Sequence, residues 1–148
     1  MEQLPIVEQP LCRSAAMLDH LARQMRVHGE AALAPLGLRP RHLVAMTMLR
    51  DNLELTQQSL SAILHIDGAN VVGLLNELES SGLVTRRRAP EDRRRHIVEL
   101  TDDGRETLAQ AEFALAAVED HVLSALTPKQ REQLAGLLHR AANGTVPA

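Results

Sequence analysis

Six arginines crowd into ten positions of this chain: Arg86, Arg87, Arg88, Arg93, Arg94 and Arg95, with only Glu91 and Asp92 to offset them. Guanidinium groups at that density suit the neutralisation of phosphate, because each is a planar fork of donors that keeps its charge. The whole chain has 16 cationic and 19 anionic residues and a net charge of −3. Outside this window ten cations face seventeen anions, so a basic spot sits on an acidic body.

Other chemistries find little support. The histidines His20, His28, His42, His65, His96, His121 and His139 are scattered, and no two have the i, i+4 spacing of a helical metal site. They read as surface or packing residues, and no metal site is assigned. The single cysteine, Cys12, excludes an intrachain disulfide and any CxxC knuckle. There is no glycine-rich phosphate loop, no HExxH and no GxSxG elbow, so neither an enzyme nor a cofactor is expected. Phe113 is the only aromatic residue, which removes the rings on which single-stranded nucleic acid is stacked.

The composition, 45% apolar and 24% charged over 148 residues, is that of one globular domain, 1–148. With neither an apolar run of membrane length nor a signal pattern, the expectation is a cytoplasmic protein without a membrane partner.

Several elements must position the arginines. Leu11, Ala15, Leu18, Ala22 and Met25 step by three and four along a first helix that Gly37 ends. Pro40 opens a second, whose buried side is expected to carry Leu43, Val44, Met46 and Leu49. Thr56 caps a short third helix and Asp67 a fourth, in which Val71, Leu74, Leu75 and Leu78 share one face and Gly82 marks the end. Residues 83–87 and 95–100 then read as two strands joined by a polar loop, a β-hairpin loaded with arginine. Thr101, Asp102 and Asp103 start a long fifth helix with the narrow stripe Leu108, Ala111, Leu115, Val118, Val122 and Ala125. Thr127-Pro128-Lys129-Gln130 is a capping box that opens a sixth.

The fold class is therefore mainly α with a small β-hairpin wing: a winged helix-turn-helix flanked by long helices. The third and fourth helices, joined by Leu64-His65-Ile66, have the layout that lays the second helix in the major groove. The apolar stripes of the end helices exceed what so small a core can cover. Leu11, Leu18, Leu115, Val122, Leu134 and Leu138 are accordingly expected to pack against a second copy in a homodimer. A rival reading is a winged-helix protein-interaction module without specific DNA binding, favoured by the lack of any lysine or arginine on the fourth helix.

The segment Leu78-Glu79, Gly82-Leu83-Val84, Arg86, Pro90, Asp92-Arg93-Arg94, Val98, Leu100-Thr101 and Gly104 resembles the signature of the multiple antibiotic resistance regulator (MarR) family. The resemblance covers the winged helix-turn-helix, about 40–104, and by position and length the dimerisation helices, about 10–35 and 102–144. It implies a dimeric, DNA-binding transcriptional regulator on a palindromic operator, commonly a repressor released by a small-molecule effector. Gly68, Asn70, Val72, Gly73 and Asn76 become groove-facing residues, with Asn70 and Asn76 able to read adenine directly or through water. Thr56, Gln57 and Ser59 would hold phosphate, as would Arg86 and Arg88. Arg93 or Arg94 would enter the minor groove, and Asp92 would brace the wing by pairing with an arginine. The family's ligand position, between dimer helices and winged helix, makes His42 a polar anchor. Relatives that sense zinc make His20, His42 and His121 worth testing, and those that sense hydroperoxides use a cysteine near Cys12. This chain lacks the tyrosines that accompany that cysteine, and it departs from the family at Gly73 and Glu77, where basic residues are frequent.

Overall fold

The computed structural model describes residues 13–144. Helix α1 (Arg13–Leu33) runs into a 3-10 turn at Ala34–Leu36, and Gly37 reverses the chain at φ 69°. Helix α2 (Pro40–Asp51) follows, then α3 (Gln57–Leu64), α4 (Gly68–Ser80), α5 (Asp102–Val122) and α6 (Pro128–Asn143). Each of α3 to α6 begins where a side chain satisfies a free backbone N–H of the first turn. Thr56, Asp67, Thr101 and Thr127 accept from Ser59, Asn70, Gly104 and Gln130 respectively. Such caps contribute about 1 kcal/mol each. Gln130 returns the bond to the Thr127 N–H, completing the expected capping box.

The hairpin forms from β2 (Val84–Arg88) and β3 (His96–Leu100), with Val84 opposite Leu100 and Arg88 opposite His96. A third strand joins it. Leu55–Thr56, β1, pairs antiparallel with Val98 and Ile97, so the sheet order is β1-β3-β2 and the wing is hydrogen-bonded to the start of α3. Two residues leave no readable alternation, and this strand exists only because β3 offers an edge.

One core holds these elements together. Met46, Leu49, Leu60, Val71, Leu75, Leu78, Val84, Val98, Leu100 and Leu108 are buried in it, drawn from α2 to α5 and the sheet. Truncating any one of these leucines should cost about 2–5 kcal/mol. The inner face of α2 differs from expectation. His42, Ala45, Met46 and Leu49 are buried, Leu43 is half-buried and Val44 faces outward. The true stripe keeps helical period but begins with a histidine, which a search for apolar residues passes over.

The end helices are covered unevenly. Leu115, expected at the dimer interface, is half-buried against the core of its own chain, close to Gly29 of α1. Leu18 and Leu138 are exposed, Val122 and Leu134 half-buried, and no residue of α6 is buried. Leu11 and Cys12 lie outside the described residues. No described helix is long and apolar enough to cross a membrane.

Candidate nucleic-acid interface

Helix α4 turns Val71, Leu74, Leu75 and Leu78 inward, and period 3.6 then directs Ala69, Val72, Gly73 and Asn76 outward. Gly68 and Asn70, in its first turn, are exposed as well. Asp67 caps the helix through Oδ1 and holds the Asn70 side chain through Oδ2, 2.9 Å from its Nδ2. The five groove-facing candidates thus share one exposed surface. The charges on and beside it are anionic: Asp67, Glu77 and Glu79.

The wing supplies the cations, though only four of the six arginines are free to do so. Arg87 Nη2 lies 3.1 Å from Glu99 Oε1 across the β2–β3 pair. Arg86 is turned inward. Its Nε donates to Glu79 Oε2 at 2.9 Å, Nη2 to Asn76 Oδ1 at 2.5 Å and Nη1 to Gln57 Oε1 at 3.4 Å. With its side chain 20% exposed, it ties β2 to α3 and α4 and is already engaged where a free phosphate ligand was expected. The same guanidinium holds the Glu79 carboxyl below the usual glutamate range, against the opposing effect of desolvation. Arg88, Arg93, Arg94 and Arg95 are exposed and form no ion pair among the described residues.

Asp92 braces the wing tip through the backbone and not through an arginine side chain. Its Oδ1 accepts the Arg94 N–H at 3.0 Å, its carbonyl accepts the Arg95 N–H at 3.0 Å, and the Arg95 carbonyl accepts from Ala89. An aspartate two residues before the donor makes a local turn of this kind cheaply, and the guanidiniums stay free. Thr56 and Ser59 are half-buried and bonded to each other at 2.8 Å, so their first task is capping. Gln57 keeps Nε2 available, because its oxygen faces Arg86.

Gly104 fixes the wing at its root. A Cβ there would stand 2.1 Å from the Leu83 carbonyl oxygen, which accepts from the Thr101 N–H at 3.0 Å, while Thr101 Oγ1 donates to the Gly82 carbonyl. Only glycine permits that approach of α5 to the end of α4.

Comparison with known proteins agrees with this geometry. The MarR family profile matches residues 36–95, which run from the turn before α2 through the wing tip. The uncharacterized HTH-type transcriptional regulator YdgJ of Bacillus subtilis is 33% identical over 129 residues, 87% of this chain and 79% of that protein. The chain belongs to the MarR family. It is a transcriptional regulator with the winged-helix fold of that family. The transcriptional repressor CouR bound to a 23-mer DNA duplex is 30% identical at a TM-score of 0.77, over 94% of this chain and 100% of that one. CouR of Rhodococcus jostii RHA1 bound to p-coumaroyl-CoA is 24% identical at a TM-score of 0.71, over 96% of this chain and all of that one.

Two clefts flank α2 in this MarR-family chain. One of about 460 Å³ lies beside His42 and is bordered by Gly37, Arg39, Asn76, Glu77 and Ser80. Its wall comes from α2, α4 and the turn before α2, whereas α1 was expected to contribute. His42 is 5% exposed and fully engaged: Nδ1 accepts the Arg39 N–H at 3.0 Å, which leaves the proton on Nε2 for Glu77 Oε2 at 2.6 Å. A buried ring with both nitrogens used is a strut between α2 and α4 and a poor anchor for a ligand. The other cleft, about 330 Å³, is mostly apolar, lined by Val44, Leu64, Ile66 and Leu74 together with the polar Arg41 and Asn70. Sequence reasoning missed it because its walls come from α2, the α3–α4 turn and α4. No signal in the sequence marked it, because Val44 reads there as part of the buried side of α2. His28 and His121 meet edge to face across α1 and α5 at 5.2 Å, and no three potential metal ligands gather among the described residues.

Proposed function

We propose that the protein is a homodimeric repressor that binds a palindromic operator through α4 and the wing, and that a small amphipathic ligand releases it. The single observation that carries the DNA reading is the division of labour on one surface. A neutral, exposed helix face stands beside four unpaired arginines on a braced hairpin. Phosphate contacts supply affinity and register, and the helix supplies base readout. The capture of CouR on a DNA duplex supports the same use of the fold. The activity is binding and not turnover, and its place is with the chromosome in the cytoplasm.

The dimer follows from α6. A helix of 16 residues with no fully buried residue in its own chain is marginal in water, so its apolar residues need another surface. Leu137 and Leu138 on α6, Leu18 and Val27 on α1 and Phe113 on α5 are all exposed, Phe113 at 81%. A symmetric interface over them would bury on the order of 2,000 Å². Two α4 helices would then meet successive major grooves about 34–36 Å apart.

For the effector, the apolar cleft suits better than the one beside His42. Leu64, Ile66 and Leu74 would take an apolar body and Arg41 an anionic group, and the α3–α4 turn that forms its floor sets the pitch of α4. CouR, solved with p-coumaroyl-CoA, is a precedent for a ligand on this fold. The test is selection from a pool of short duplexes at low salt, alongside sedimentation. Recovery of a two-fold symmetric site by a dimer is the expected result. Enrichment of no sequence would favour the protein-interaction module.

A further inference from the structure

Asn76 stands on the outward face of α4, and its amide cannot turn freely. Oδ1 accepts from Nη2 of Arg86 at 2.5 Å. A guanidinium only donates, so the amide oxygen must face Arg86 and Nδ2 must face away. Arg86 is itself fixed by Glu79 Oε2 at 2.9 Å and Gln57 Oε1 at 3.4 Å, so α3, α4 and β2 together set the orientation. Nδ2 of Asn76 has no partner among the described residues. Asn70 is held in the opposite sense, with Nδ2 on Asp67 Oδ2 and its oxygen open.

We propose that Asn76 addresses the major groove as a hydrogen-bond donor and selects guanine at one position of each half-site, with Arg86 as the positioning residue that sets this polarity. The inference rests on the DNA-binding reading above. An unconstrained asparagine reads adenine with both ends of its amide, accepting from N6 and donating to N7. Here the oxygen is held by a cation, and the NH₂ group is what remains for a base. Guanine alone presents two acceptors side by side, O6 and N7. Adenine sets its N6 donor against that NH₂ group, cytosine offers a donor, and thymine has one acceptor beside a methyl group. A helix without lysine or arginine thus acquires the guanine preference usually supplied by those residues, because an arginine behind it orients a neutral amide.

The experiment is selection from randomised duplexes with the full-length protein, followed by sequencing and competition binding of single-base variants. The wild type is expected to prefer guanine at one position per half-site. Asn76→Asp keeps an acceptor for Arg86 and replaces the outward donor by an acceptor, so the preference should pass to cytosine, changing the guanine-to-cytosine affinity ratio by about tenfold or more. Arg86→Met frees the amide, and the same position should move from guanine to adenine, read in protein shown by thermal melting to be folded. Asn76→Asp keeps the inference testable should Arg86→Met not fold. A selected site whose preferences are unchanged in Asn76→Asp overturns the inference. So does a wild-type adenine preference that Asn76→Asp abolishes, since the amide would then have turned on DNA. Enrichment of no sequence by the wild type overturns the DNA-binding reading and this inference with it.

Discussion

Nε2 of His42 lies 2.6 Å from Oε2 of Glu77, joining residues 35 positions apart and fastening the start of α2 to α4. The ring is buried and also receives the Arg39 N–H, so one side chain caps α2 and braces α4. Removing it leaves a cavity and an unmet backbone donor. His42→Ala should destabilise the fold by about 2–3 kcal/mol, seen as a lower urea midpoint at unchanged slope. A loss below about 0.5 kcal/mol would show that the strut is dispensable.

Acid should weaken the attachment of α4. The hydrogen bond from His42, helped by the charges of Arg39 and Arg41, holds the Glu77 carboxyl below its ordinary value, and Arg86 does the same for Glu79. A carboxylate whose folded pKa is depressed contributes stability that is present above its unfolded pKa and lost as pH falls through the folded one. The decline therefore belongs below about pH 4.5. Glu77→Gln and Glu79→Gln together should flatten stability against pH in that acid window, measured by denaturant titrations across pH.

Gly104→Ala should be among the most damaging single-methyl changes in the chain. The new carbon would meet the Leu83 carbonyl oxygen at 2.1 Å, and a backbone oxygen cannot swing aside, so α5 must move away from the end of α4. A cost of about 2–3 kcal/mol is expected, with a matching fall in melting temperature. Gly136→Ala, where a Cβ meets nothing within 4 Å, is the control.

The arginines of the wing should divide in a salt titration. Arg93→Ala with Arg94→Ala should reduce the slope of log affinity against log salt by up to about 4 per dimer, at roughly 0.9 per phosphate. Arg87→Ala removes a side chain already paired with Glu99 and should change the slope far less. Equal effects from the two variants would show that the Arg87–Glu99 pair opens on DNA.

Leu137→Glu with Leu138→Glu should yield monomers in sedimentation at micromolar concentration. Both side chains are exposed on a helix with no fully buried residue in its own chain, so the charges cost little in the monomer and are prohibitive at an apolar interface. Loss of operator binding should accompany loss of the dimer. A dimeric double variant would move the interface away from this face of α6.

What could be read from the residues alone is what is decided within one turn of chain. Thr56, Asp67, Thr101 and Thr127 cap residues three positions on, and Gly37 and Gly82 accept the left-handed turns that end elements. The recurrence of apolar residues in α4 and the arginine-rich hairpin behind it pointed to a winged helix for the same reason. The tertiary structure decided whatever depends on partners distant in sequence. It turned Arg86 inward onto Glu79, Asn76 and Gln57, because a cation at the centre of β2 finds three acceptors on α3 and α4. It added Leu55–Thr56 to the sheet, because the edge of β3 had unpaired backbone groups to satisfy. It also buried His42 by setting Glu77 opposite, and so made a polar side chain part of the core stripe of α2. Local bonds are set by spacing along the chain. The orientation of a charged or amide group depends on which partners the fold brings within 3 Å, and spacing carries no record of that.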